Sequence, residues 1–229
     1  MRYVAMHACR KFLAWKFGDG HPAIAAPMPK RRVTKTQRWL TPERAAELME
    51  SFPTHGAVGA RDKALCALAL DTGLRVTELC NLKAQDVDLE KRHCQAIIKG
   101  GDWGTGIFSE ETAEYIRHWL TFRPRYAAPG IDNLFFSFQH KKMGQPLTRE
   151  GVQGLCKRWG RRIGILLSPH DLRRSFAMIS TLNGAPSRVV QVAGRWKHMK
   201  MLEHYTRFVD AEAIQKYLPI ARLDQSSKE

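Results

Sequence analysis

Apolar residues recur at helical spacing along most of this 229-residue chain, and one short stretch shows the pattern of paired strands. The helical spacing predicts helices near 1–17, 43–52, 58–70, 76–83, 110–122, 148–163, 170–182, 186–193, 199–206 and 211–218. CQAIIK (94–99) and GTGIFS (104–109) flank the Gly100-Gly101 turn, which predicts a β-hairpin. The fold class is therefore α+β, mainly α-helical, with a small antiparallel β-sheet.

Local chemistry marks where several of these helices begin. Thr41-Pro42-Glu43 combines a cap, a proline at the first helical position and an acid near the positive end of the helix dipole. Ser109 is placed to cap the helix that follows it.

A change in composition near residue 30 predicts a boundary. Residues 21–39 contain three prolines and a cluster of bases, which is typical of a basic linker. We expect a first helix with its linker at 1–29, a main domain at 30–219 and a polar tail at 220–229. The linker bases either follow DNA phosphates or are simply solvated; they are Lys30, Arg31, Arg32 and Lys35.

The charge balance points to nucleic acid. Thirty-seven basic residues against twenty-two acidic ones give a net charge of +15, and neutralised phosphates release condensed counterions. An anionic membrane surface and a merely cationic protein are the alternatives. The chain contains no apolar run of the roughly 18 residues that a membrane span needs, and its N-terminal stretch lacks the unbroken apolar centre of a signal peptide. Five cysteines without a CxxC pair favour core thiols, such as Cys66 and Cys80, and a cytoplasmic setting.

One set of side chains has the chemistry for attack on a phosphodiester. A tyrosine hydroxyl, with a pKa of about 10, needs cations on the electrophile and groups that manage its proton. Guanidinium groups donate hydrogen bonds to phosphate oxygens, a lysine can protonate a leaving oxygen, and an imidazole can accept a proton. In chain order the candidates are Arg75, Lys99, His170, Arg173, Trp196 and Tyr205.

These motifs resemble those of the tyrosine recombinases, or phage integrase family, over roughly residues 30–218. TGLRVTEL resembles the first-arginine box, HDLRRSF resembles the His-x-x-Arg box, and IIKGGDWGTGIFS fits the hairpin that holds the catalytic lysine. Trp196 stands nine residues before Tyr205, the family's spacing between its His/Trp position and its nucleophile; His198 fits that spacing less well. The strand after Lys99 lacks the family's usual further bases and proline.

The resemblance implies a catalytic domain of that family, in which the tyrosine forms a 3′-phosphotyrosyl intermediate without a metal or other cofactor. It also implies that residues 1–29 are the end of a DNA-clamping N-terminal domain and its linker. Glu78 would orient Arg75 or a neighbouring backbone group.

Each role has a structural alternative. Arg75 could be a surface base, and Arg173 could pair with Asp171 or Glu150. Lys99 could be a solvated turn residue, and His170 could cap the helix after Pro169. Trp196 could be a buried structural side chain, which is compatible with a role in the pocket. Tyr205 could be an ordinary core or surface tyrosine.

The function that the resemblance implies is site-specific recombination or integration of double-stranded DNA. The expected assembly is a homotetramer on DNA that exchanges C-terminal helices, with a monomer off DNA, and no membrane or small-molecule substrate is expected. A type IB topoisomerase would share the two arginines, the lysine, the histidine and the tyrosine of this set. A catalytically idle DNA-binding protein is the third alternative.

Overall fold

The computed structural model describes residues 2–25, 38–98 and 100–198. They divide into two compact units, one within Met1–Gln37 and one within Arg38–Glu229. The predicted helices at 199–206 and 211–218, the polar tail and most of the predicted linker lie outside the described residues.

The first unit consists of two helices. Helix α1 spans Arg2–Phe17, as the sequence predicted, and the backbone N–H of Gly18 closes its last turn on the Ala14 carbonyl at 3.0 Å. A short helix, α2, spans Pro22–Ala25, and the Arg10 guanidinium donates to the carbonyl of Ile24. The stretch predicted as linker therefore begins with a helical turn.

The described part of the second unit is built mainly from helices, and the predicted ones within it are confirmed. Thr41 and Ser109 act as the predicted caps, since each side-chain oxygen accepts a backbone N–H at 3.3 Å. The helices are α3 (Pro42–Glu50), α4 (Ala57–Thr72), α5 (Val76–Asn81), α6 (Glu110–Phe122), α7 (Arg149–Arg162), α8 (Pro169–Leu182) and α9 (Ser187–Ala193).

Helix α4 forms the centre of this unit. Twelve of its sixteen residues are buried, and it packs against α6 and α8. Trp159 of α7 is fully buried and donates its indole N–H to Asp62 of α4 at 2.8 Å. The same carboxylate pairs with Arg61 at 2.6 Å, so the polar groups inside the core are paired. A well-packed α4 holds its C-terminal end in a fixed place.

The sheet is antiparallel and has the order β1-β2-β3. Strands β2 (His93–Ile97) and β3 (Trp103–Ile107) form the predicted hairpin, with Ile97 opposite Trp103. Strand β1 (Val87–Asp88) was not predicted, because two residues are too few to show an alternating pattern.

The hairpin lies against the end of α4. Gly106 faces the protein, and a Cβ on it would lie 2.9 Å from Cys94 Sγ and 3.0 Å from Thr72 Cγ2. A glycine is needed for an approach this close. The hairpin is thereby brought next to the residues that follow α4.

The segment between α6 and α7 is mostly irregular but contributes to the core. Leu134, Phe135 and Phe136 are fully buried, and the Leu134 N–H donates to the Leu82 carbonyl at 2.7 Å. Short 3₁₀ turns also occur, at Ala84–Asp86, Arg123–Arg125 and His140–Lys142.

The cysteines are free thiols, and the prediction that Cys66 and Cys80 are small core side chains is confirmed. Burial raises the pKa of Cys80 to about 11, so this thiol is protonated at neutral pH.

Candidate active site

The site begins where α4 ends. Gly73 has a left-handed φ of 56° and caps the helix, which turns the chain toward Arg75. A Cβ on Gly73 would lie 2.4 Å from Cδ1 of Phe176 in α8. Both the conformation and the space therefore require glycine at this turn.

Arg75 is the N-cap of α5 and is held by Glu78. One Glu78 oxygen accepts the Arg75 backbone N–H at 2.8 Å, and the other accepts its guanidinium at 2.8 Å. The Glu78 side chain is buried, whereas that of Arg75 is 39% exposed. The predicted orienting contact of Glu78 is confirmed, and part of the Arg75 guanidinium remains accessible to a ligand.

The start of α8 positions His170 and Arg173. Ser168 caps the helix in a capping box with Asp171, and Pro169 occupies its first position. The alternative that His170 caps this helix is therefore wrong. Residues three apart share a helix face, so His170 and Arg173 lie on the same side of α8.

Arg173 is buried and binds main-chain carbonyls. Its guanidinium donates to the carbonyl of Gly73 and, at 2.5 Å, to that of Gly194. The Asp171 carboxylate, suggested as its partner, pairs with Arg174 at 3.3 Å and Arg38 at 3.5 Å and caps the helix.

Trp196 packs on Arg173. The centre of the guanidinium lies 4.5 Å from the indole ring centroid, and Phe176 stacks on the same indole at 6.1 Å. The Trp196 carbonyl also accepts the Gln191 side-chain amide at 3.0 Å. Trp196 is 6% exposed, so it is a buried structural residue that also contacts a candidate catalytic arginine.

Several predicted site residues lie outside the described part of the chain. They are Lys30, Arg31, Arg32, Lys35, Lys99 and Tyr205. Lys99 follows β2 in the sequence, two residues after Ile97. The described residues include four of the six predicted catalytic residues, namely Arg75, His170, Arg173 and Trp196. Arg75 and Arg173 meet at the carbonyls of Gly194 and Arg195, Trp196 packs on Arg173, and His170 lies on the same side of α8 as Arg173.

The structure adds one residue that the sequence analysis missed. Arg195 lies beside Trp196, and its guanidinium donates to the carbonyls of Thr72, Thr105 and Ala193. Its Nε is 3.9 Å from Glu78. The local sequence GRWKH could not predict these contacts, because two of the partners of Arg195 lie 90 and 123 residues away in the chain.

Burial and nearby guanidiniums affect the pKa of His170. Loss of hydration, followed by the nearby Arg174 guanidinium, lowers the pKa of His170 below 6.5; Asp171 opposes this, and Arg173 adds to it. The imidazole is therefore neutral at pH 7 and can accept a proton.

Within the described residues, no three His, Cys, Asp or Glu side chains cluster as metal ligands do. None of the helices described is both long and apolar enough to cross a membrane.

Comparison with known proteins gives consistent matches. The phage integrase family matches residues 38–212. Tyrosine recombinase XerD of Listeria innocua serovar 6a (strain ATCC BAA-680 / CLIP 11262) is 32% identical over 197 residues, which cover 83% of this chain and 65% of that protein. The chain therefore spans slightly less than two thirds of that relative's length.

Two solved structures share the fold. The crystal structure of XerA recombinase has a TM-score of 0.67 at 24% identity, covering 96% of this chain and 75% of that one. The XerH site-specific recombinase, bound to its palindromic difH substrate in a post-cleavage complex, has a TM-score of 0.67 at 24% identity. That match covers 83% of this chain and 54% of the XerH chain.

Proposed function

Because the chain belongs to the phage integrase family, we propose that it is a site-specific DNA recombinase that breaks and rejoins strands through Tyr205. The whole reaction is a proposal for this chain. The resemblance of its motifs and the arrangement of its two arginines support it.

The observation that carries the proposal is the convergence of Arg75 and Arg173. These residues are far apart in the sequence, yet both guanidiniums reach consecutive carbonyls of one loop. Arg173 donates to Gly194 at 2.5 Å, and Arg75 donates to Arg195 at 3.5 Å. Two neighbouring guanidinium groups, each planar and with several N–H donors, are suited to bind the non-bridging oxygens of one phosphate. Their fixed positions would stabilise charge in a pentavalent transition state without reorganisation.

The local charge also suits a polyanion. Two carboxylates, Glu78 and Asp171, are each shared between two arginines. Arg173, whose guanidinium binds the Gly73 carbonyl, adds a further cation to the site. This positive surplus would attract a DNA phosphate into the site.

Strand cleavage is proposed to be a single transesterification. The Tyr205 oxygen attacks phosphorus, and the bond from phosphorus to the 5′-oxygen breaks. Neutral His170 takes the tyrosine proton, and Lys99 gives a proton to the departing 5′-oxygen. The products are a 3′-phosphotyrosyl enzyme and a free 5′-hydroxyl. Attack by another 5′-hydroxyl reverses the step and joins a new strand.

The assembly and domain assignments belong to the same proposal. We propose double-stranded DNA as the partner, with a tetramer on DNA that exchanges C-terminal helices. Residues 1–29 would be the remnant of a clamp domain, and the bases at 30–35 would follow phosphates. The cytoplasm, where DNA is accessible, is the proposed location.

A covalent-trapping experiment tests the chemistry. The probe is a pool of nicked duplexes with randomised sequence, labelled at the 5′ end of the nicked strand. Cleavage next to the nick releases a short 5′-hydroxyl fragment, which traps the protein on the labelled strand. We expect a labelled adduct on a denaturing gel, and sequencing of the recovered strands then gives the preferred site.

Two variants make the result specific. Tyr205→Phe should abolish the adduct because the nucleophile is lost. Tyr126→Phe removes the same hydroxyl from a tyrosine that packs on Phe138, and should leave the adduct unchanged. No adduct from the wild-type protein would refute the proposal and favour an idle DNA-binding protein. Relaxation of supercoils without strand exchange would favour a topoisomerase.

A further inference from the structure

Arg195 has an unusual backbone conformation for its side chain. Its φ is 56°, in the left-handed region that disfavours residues with a Cβ. Arg92, with a φ of 53°, is the other such non-glycine residue in the described part of the chain. Arg92 lies before β2, and its side chain is 51% exposed. The two arginines thus share a conformation but differ in their surroundings.

The Arg195 side chain joins three elements through main-chain carbonyls. It donates to Ala193 of α9 at 2.8 Å, to Thr105 of β3 at 2.9 Å and to Thr72 of α4 at 3.0 Å. It is 9% exposed. Guanidinium donors directed at several carbonyls fix the distances between those carbonyls, which a single ammonium could not do.

The hairpin is shaped to receive this side chain. A Cβ on Gly104 would lie 2.8 Å from Arg195 Cδ and 2.6 Å from Ile98 Cγ2. A larger residue at position 104 would push the hairpin away from Arg195. The strand sequence GTG therefore permits the contact between Thr105 and the guanidinium.

Arg195 also reaches the group that holds Arg75. Its Nε is 3.9 Å from the Glu78 carboxylate, and its own carbonyl accepts Arg75 at 3.5 Å. Its contact to Thr105, at 2.9 Å, is a full hydrogen bond, so Arg195 binds the hairpin more closely than it binds the Glu78 carboxylate.

We propose that Arg195 is a positioning residue that fixes the β2–β3 hairpin against the end of α4, and that proton donation by Lys99, which follows β2 in the sequence, depends on this attachment. This inference rests on the proposed function, because Lys99 has a proton to donate only if DNA is cleaved. The guanidinium is buried, so its effect should be on the rate of cleavage and not on DNA affinity.

The test compares two glycine variants. Arg195→Gly removes the guanidinium and relaxes the left-handed backbone, so the protein should remain folded. Arg92→Gly makes the same change at an exposed ion pair and serves as the matched control. The measurement is the single-turnover rate of adduct formation at saturating DNA, using a duplex recovered from the randomised pool. Melting temperature and DNA affinity are measured alongside.

A sulfur-substituted DNA isolates the role of the hairpin. Replacing the bridging 5′-oxygen with sulfur gives a thiolate leaving group, which departs without a proton because the pKa of a thiol is about 8.5. We expect Arg195→Gly to slow cleavage of ordinary DNA on the order of 10²-fold, the range of a general acid. Most of that loss should disappear on the sulfur substrate. Arg75→Lys should cleave both substrates slowly, and Arg92→Gly should cleave both at the rate of the wild-type protein.

Contrary outcomes overturn the inference. They are a wild-type rate for Arg195→Gly on ordinary DNA, an equal slowing on both substrates, or a fall in melting temperature that accounts for the slower rate.

Hydrogen exchange separates this inference from the proposed function. Without DNA, the amides of β2 and β3 should exchange faster in Arg195→Gly than in the wild-type protein, while those of α6 should not change. Unchanged hairpin exchange would overturn the positioning role even if the wild-type protein forms an adduct. If the wild-type protein forms no adduct, the proposed function fails and proton donation by Lys99 fails with it, whatever the exchange shows.

Discussion

The buried carboxylate of Glu78 offers a sharp test of how the site is held together. It accepts the Arg75 backbone N–H and guanidinium, each at 2.8 Å, and lies 3.9 Å from Arg195 Nε. Glu78→Gln keeps the shape and one oxygen for the backbone N–H but removes the charge. Glu78→Ala removes the charge, the cap and the side-chain volume.

The contacts of Glu78 determine how much unfolding free energy its two variants lose. A hydrogen bond to a charged group contributes about 1.5–3 kcal/mol. The lower part of this range applies to Arg75, because its side chain is 39% exposed and regains water. Glu78→Gln also removes the negative charge beside the buried Arg195 side chain, which adds to the cost. We therefore expect this substitution to lower the free energy of unfolding by about 2–3 kcal/mol. Glu78→Ala also removes the helix cap, so it should lower the free energy of unfolding by about 3–4 kcal/mol.

The assay is thermal and urea unfolding of the three proteins. For a chain of this length each kcal/mol lowers the melting temperature by about 2–4 °C, so Glu78→Gln should melt about 4–12 °C below the wild-type protein. Glu114→Gln is the matched control, because Glu114 pairs with Arg117 at 2.5 Å while its side chain is 63% exposed. It should not change the melting temperature measurably. If Glu78→Gln unfolds like this control, or if Gln and Ala lower the stability equally, the charge of Glu78 does not hold the site together.

Two further predictions concern the turn after α4 and the start of α8. Gly73→Ala places a Cβ 2.4 Å from the Phe176 ring at a left-handed φ, so it should cost about 2–4 kcal/mol in urea unfolding. Gly154→Ala, in a helix with no atom within 4 Å of the added Cβ, should be neutral or stabilising. For His170, whose pKa is lowered, the rate of adduct formation should be flat above pH 6.5 and fall below it as the ring protonates. His170→Gln should be slower and lack this fall; if the fall persists in the variant, another group causes it. Since the unfolded chain binds this proton more readily, acidification below pH 6.5 should also lower the wild-type melting temperature more than that of His170→Gln.

The sequence predicted the features of the fold that local chemistry determines. Thr41 and Ser109 cap helices because their hydroxyls satisfy exposed N–H groups, and this signal lies within four residues. The contact between Arg75 and Glu78 was also predictable, because a residue at the cap and one three positions on meet in the first turn of a helix.

The features that the sequence did not predict depend on distant contacts. The hydrogen bonds of Arg195 to Thr105 and Thr72 span 90 and 123 residues. The packing of Trp196 on Arg173 depends on how α8 meets the loop after α9. Propensity and periodicity describe one element at a time, so they contain no information about these encounters.

Two buried arginines of this site, Arg173 and Arg195, bind main-chain carbonyls. Arg173 is held by the carbonyls of Gly73 and Gly194, and Arg195 by carbonyls that include those of Thr72 and Thr105. Every amino acid supplies a carbonyl, so the side chains of Thr72 and Thr105 can change in evolution or in engineering without removing an acceptor. A change in chain length is different, because inserting one residue into the turn at 72–75 would displace its carbonyls from both arginines. Apart from Gly73 and Gly194, where an added Cβ would meet Phe176 or Trp196, these connections should therefore tolerate substitutions better than insertions or deletions.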